Sequence, residues 1–82
     1  MQQFIRTLGI YPVGSLVRLS RGCLAVVVEQ GEDLLRPLVR VVFDAERKLR
    51  LQPRDLHLTR STEQIVDYEE PAEWKLDPAG YL

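Results

Sequence analysis

The sequence predicts a mainly β fold: a small five-stranded antiparallel barrel with a short N-terminal helix and an irregular C-terminal strap. Three observations carry this. Apolar residues alternate with a period of two through short runs between Ser15 and Thr59. Turn-forming Gly, Pro, Asp and Ser residues separate the runs at close intervals. No helical pattern interrupts the series. With 82 residues, the chain holds one domain and little room for a second core.

The elements follow in order. In "QQFIRTLGI", Phe4, Ile5 and Leu8 fall at helical spacing and Gly9 can end the helix. Pro12 biases Tyr11 towards an extended backbone. Two helical turns are marginal alone, so residues 1–12 read as a helix stub and linker turn from an upstream domain. Residues 13–60 read as the barrel. In "SLVRLS", Val17 and Leu19 share one face, with Leu16, Arg18 and Ser20 on the other. "SRG" makes a tight turn in which Gly22 takes positive φ. "CLAVVVEQ" is apolar on both faces and should be central. After a polar loop opened by "GED", Val39, Val41 and Phe43 alternate with Leu38, Arg40 and Val42. "AER" turns the chain, and "KLRLQ" points Leu49 and Leu51 inward, with Lys48, Arg50 and Gln52 outward. Beyond "PR", "DLHLT" supplies a fifth strand through Leu56 and Leu58.

Short antiparallel strands with tight turns match the small Src-homology-like barrel, in which closure removes exposed edges. Residues 61–82 lose strict alternation; "QIVDY" could add a strand, and Pro71 and Pro78 break any long helix. Ile65, Val66, Tyr68, Trp74, Leu76, Tyr81 and Leu82 are too apolar for a disordered tail. The stretch therefore reads as a strap packed on the barrel or on a partner.

Net charge is −1, but it is divided unevenly, about +4 over residues 1–60 and −5 over residues 61–82. An acidic tail behind a basic body can fold back and mask it. No apolar run approaches the roughly 18 residues of a membrane span, and the N-terminus has no secretory pattern. One cysteine, Cys23, excludes an internal disulfide and suits a reducing compartment, so a cytoplasmic location is expected, with no membrane contact.

Signatures of catalysis are sparse. A single histidine, His57, cannot build a His-based metal cluster, and it falls on the polar face of a strand. Arg21, two residues before Cys23, could lower the thiol pKa, but no second cysteine or nearby histidine supports redox or nucleophilic work. "LGIYPVG" lacks the Gly-rich run and Lys-Ser/Thr ending of a phosphate loop. No catalytic residue, metal ligand or cofactor is expected. Arg18, Arg36 and Arg40 form a candidate basic face, with Lys48 and Arg50 on another strand's polar side. Few aromatics and a pI near 5.8 argue against nucleic acid there. The candidate interaction residues are Phe4, Ile5, Leu8, Tyr11, Trp74 and Tyr81, since aromatics bury much area with few torsions.

The runs "FIRTLGIYPVGSLVRLSRGCLAVVVE", "RPLVRVVFD", "LQPRDLHL", "QIVDYEEP" and "LDPAGYL" span almost the whole chain in order. Together they resemble the β-rich extension that follows the catalytic domain in bacterial HD-GYP proteins, metal-dependent phosphodiesterases that degrade cyclic di-GMP. The resemblance implies that "QQFIRTL" ends the last catalytic helix and that Tyr11, Pro12 and Gly14 form the linking turn. Gly22 would be the hairpin, and Arg36–Pro37 the start of the middle strand. Catalysis does not carry over: the family's His-Asp pair, further metal ligands and Gly-Tyr-Pro loop have no match here, since "GIYPVG" interposes Ile10 and "AGYL" lacks the proline. The resemblance therefore implies a non-catalytic accessory domain whose partners are the upstream catalytic domain and a second copy. Ligand or nucleic-acid binding through the Arg18, Arg36 and Arg40 face is the alternative.

Overall fold

The period-two segments form a single five-stranded antiparallel sheet in the order β4-β3-β2-β1-β5. The strands are β1 (Leu16–Leu19), β2 (Cys23–Glu29), β3 (Leu38–Asp44), β4 (Leu49–His57) and β5 (Ile65–Tyr68). This computed structural model describes residues 11–31 and 36–82. The helix expected around Phe4, Ile5 and Leu8, and most of the loop opened by Gly31, lie outside the described residues.

The turns form for the reasons their residues suggest. Ser15 N–H donates to the Pro12 carbonyl at 3.1 Å, and Gly14 between them has φ of 95°. Positive φ is open to glycine without a Cβ clash. Gly22, at φ 92°, turns β1 into β2, and a Cβ built there would approach Glu46 Oε1 to 2.9 Å. Between β3 and β4, Asp44 Oδ1 accepts from the N–H groups of Glu46 and Arg47 at 3.0 and 3.2 Å. Lys48, at φ 56°, completes that turn. A side-chain-bearing residue in this conformation carries a cost of about 1 kcal/mol.

Three expectations are corrected. "KLRLQ" and "DLHLT" are not separate strands, because β4 runs through both. Val41 pairs with Arg54 and Phe43 with Arg50, so Leu51, Gln52 and Pro53 bulge opposite Val42. A proline is accommodated at such a bulge, and on an edge strand its missing N–H breaks no sheet interior. The fifth strand is "IVDY", which pairs with β1 through Val17–Tyr68 and Arg18–Asp67. No pairing joins β4 to β5, so the sheet is open where closure into a barrel was expected.

The third correction concerns which face each residue takes. Leu24 pairs with Phe43 but Ala25 pairs with Val41, which leaves Val42 as an extra residue in β3. Val39 and Val41 therefore keep one face while Val42 and Phe43 both turn to the other. Leu49 and Leu51, expected inward, are 55% and 38% exposed on the bulged edge.

The sheet is buried on both faces. One core gathers Tyr11, Val17, Leu19, Ala25, Val27, Val39, Val41 and Leu58. Leu58 opens the 3₁₀ turn Leu58–Arg60, which brings the chain from β4 back towards β5. The opposite core gathers Leu16, Leu24, Val26, Val42, Phe43 and Leu76, with Trp74 and Tyr81 packed against it. Its cover is the C-terminal strap, made of helix α1 (Pro71–Trp74) and a second 3₁₀ turn, Pro78–Tyr81. Pro71 stands at the first helical turn, where no N–H is required, and Lys75 at φ 55° ends the helix. Asp77 caps the last turn by accepting from Ala79 N–H. Among the described residues, no helix is long and apolar enough to cross a membrane.

Candidate functional site

The acidic stretch folds onto the basic body through specific pairs. Glu63 is buried, 8% exposed, beside the β1–β2 turn. Its Oε1 accepts from Ser20 Oγ at 3.2 Å and from Arg21 N–H at 3.1 Å, while Oε2 lies 2.9 Å from Arg21 Nε. Burying a carboxylate is costly unless its lone pairs are met, and here three donors meet them. Glu69 does the same for the strap. Its Oε1 accepts from Trp74 Nε1 at 3.0 Å, and its Oε2 stands 3.0 Å from Arg18 Nε. That second contact is one of charge, because the buried Arg18 Nε–H is not aligned for a hydrogen bond. Trp74 then meets Phe43 edge to face, with ring centroids 5.5 Å apart.

Arg40 links β4 to the end of the chain. Its Nε donates to Asp55 Oδ1 at 2.7 Å, and its Nη1 donates to the Tyr81 carbonyl. The hydrogen bond holds the Asp55 carboxyl below its ordinary pKa and the guanidinium above its own. Arg18 and Arg40 are thus both engaged by carboxylates, and Arg36 is exposed before β3. The expected basic face is not a free one.

The interaction candidates divide. Tyr11 is 5% exposed within the first core, and its carbonyl accepts from Gln30 Nε2 at 2.5 Å. Its side chain is spent on packing within this core. Trp74 and Tyr81 are half-buried and pack against the second core. Phe4, Ile5 and Leu8 lie outside the described residues. Alternation could not flag Glu63 or Glu69, because both look like ordinary surface acids; the one available signal was the charge asymmetry.

The Cys23 side chain is half-buried at the start of β2. Burial pushes its thiol pKa up, and the carboxylates of Asp44 and Glu63 add to this, outweighing Arg21. Arg21 is itself tied to Glu63, so it does not activate the thiol. Among the described residues, no three His, Cys, Asp or Glu side chains gather where they could hold a metal ion.

Two shallow clefts remain on the strap side. One, of about 320 Å³, is lined by Phe43, Lys48, Glu73, Trp74 and Lys75. The other, of about 370 Å³, shares Lys75 and adds Arg50, Leu76, Asp77, Gly80 and Tyr81.

The chain is 45% identical over 74 residues to the cyclic di-GMP phosphodiesterase PA4108 of Pseudomonas aeruginosa, a match covering 87% of this chain. It spans only 18% of that relative's length, so it corresponds to a small segment of such a protein. No family model matches the sequence. No solved structure matches it either.

Proposed function

We propose that the chain is a non-catalytic C-terminal accessory domain of an HD-GYP-type cyclic di-GMP phosphodiesterase, acting in the cytoplasm by packing on the catalytic domain or pairing with a second copy. The observation that carries this is the 45% identity confined to 18% of a phosphodiesterase. A segment that short has no room for a second catalytic domain, and its own carboxylates serve its fold: Glu63 the hairpin, Glu69 the strap, Asp55 Arg40. Docking falls to Phe4, Ile5 and Leu8, the apolar stub expected before the sheet. Binding through Arg18, Arg36 and Arg40 is the weaker reading, since Arg18 and Arg40 are engaged by Glu69 and Asp55.

Two measurements test this. The chain alone, supplied with iron or manganese and cyclic di-GMP, is expected to release no linear dinucleotide; metal-dependent turnover would overturn the non-catalytic reading. Deleting the segment from the parent enzyme is expected to lower the melting temperature of the remainder by several degrees. An unchanged melt together with unchanged activity would overturn the docking reading.

A further inference from the structure

Lys48 and Lys75 are the two non-glycine residues of positive φ among the described residues, and they come from different turns. Glycine or asparagine suits such positions at less cost. Both lysines nonetheless line the same cleft, beside Phe43 and Trp74, and Arg50 lines the adjoining one with Lys75. Arg18, Arg21, Arg40 and Arg47 each have a carboxylate partner, whereas the side chains of Lys48, Arg50 and Lys75 have none among the described residues. Strained backbone at two turns thus brings Lys48 and Lys75 beside aromatic rings, with Arg50 in the adjoining cleft and Glu73 and Asp77 as the acids of the joined lining. Strain of this kind gathers at ligand clamps.

We propose that these joined clefts bind a guanine nucleotide. Lys48, Arg50 and Lys75 take the phosphoryl oxygens, and the base lies against Trp74 or Tyr81. The exposed Glu73 in the same lining offers a carboxylate to the two N–H donors of guanine's pairing edge, which adenine cannot match. A bare anion would be repelled by Glu73, so the acid favours a ligand that carries a base as well as a phosphate. The choice of guanine rests on the phosphodiesterase reading above; the cation cleft itself does not.

The single tryptophan, Trp74, lies in the cleft and reports directly. Its fluorescence, excited at its red edge, would be followed in the 82-residue chain as cyclic di-GMP, linear diguanylate, cyclic di-AMP and inorganic phosphate are added in turn. Saturable binding of a guanine dinucleotide is expected, at least about tenfold tighter than the adenine analogue or phosphate, and weakening as salt rises. Lys48→Gly and Lys75→Gly should each weaken it about tenfold, because each removes a charge-assisted contact. Both variants should melt no lower than the parent chain, since glycine relieves the positive φ. That combination separates a ligand role from a structural one. A flat titration with every ligand would overturn the cleft and leave the docking reading standing. Phosphate binding as tightly as the dinucleotides would overturn the nucleotide. Glycine variants that bind normally, or that lose binding only because they melt early, would overturn the role of the lysines.

Discussion

On one face of the sheet, Val17, Leu19, Ala25, Val27 and Val39 are covered by residues close to the strands in sequence, Tyr11 at one end and Leu58 at the other. On the opposite face, Leu16, Leu24, Val26 and Phe43 are covered by the C-terminal strap, through Trp74, Leu76 and Tyr81. The first core is apolar along its centre and pinned at its margins, by Glu63 on Ser20 and Arg21 and by Gln30 on the Tyr11 carbonyl. The second needs pins as well: Glu69 on Trp74 and Arg18, and Arg40 on the Tyr81 carbonyl. A domain this small buries a limited share of its surface, and using both faces of one sheet is a way to gain core without more strands. Its consequence is unequal local stability, with the strap the part that opens first.

The largest expected effects compare the same deletion on the two faces. Leu58→Ala should cost about 2–4 kcal/mol, near the whole stability of a small domain, and unfold the chain in one urea transition. Leu76→Ala should cost about 2 kcal/mol and loosen the strap before the sheet, seen as Trp74 fluorescence moving ahead of far-UV dichroism. Coincident transitions for both variants would erase the distinction. Trp74→Ala should cost about 1–3 kcal/mol, part of it the edge-to-face contact with Phe43. Smaller still is Glu69→Gln, at about 0.5–1 kcal/mol: the amide oxygen can still accept from Trp74, while the partly exposed Arg18 loses its counter-charge.

The smallest effect concerns pH. Because Asp55 has a lowered pKa in the folded chain, its contribution is present above the ordinary carboxylate value, about 3.9. It is lost as pH falls through the lowered value. Asp55→Asn should therefore lower stability slightly at neutral pH and flatten the acid limb measured by urea unfolding, the two chains converging between about pH 5 and 2. An acid limb of unaltered slope would show that the Arg40–Asp55 pair does not tie β4 to β3 in solution.

Much of the first face was legible because alternation alone specifies it: β1, β2 and the start of β3 have the buried residues that period two assigns. The second face was less so. A single extra residue, Val42, turns Phe43 to the other side, and no local pattern marks a bulge whose cause lies in the partner strand. Leu49 and Leu51 alternate correctly yet stay exposed, because β4 is an edge that bulges at Pro53 and nothing among the described residues covers it. The aromatics of the strap announced that the tail packs somewhere, and the charge asymmetry that it could fold back. Which acid meets which arginine was not legible, since those pairs depend on β5 docking beside β1. That Lys48 and Lys75 line one cleft was not legible either, since it depends on the strap docking beside the turn between β3 and β4.

The most direct test is sedimentation of this chain with the separately expressed catalytic segment of a parent phosphodiesterase, each at low micromolar concentration. The account expects a single 1:1 boundary, with Phe4→Ser and Leu8→Ser returning both species to their free rates. Two independent boundaries for the unaltered pair would contradict it.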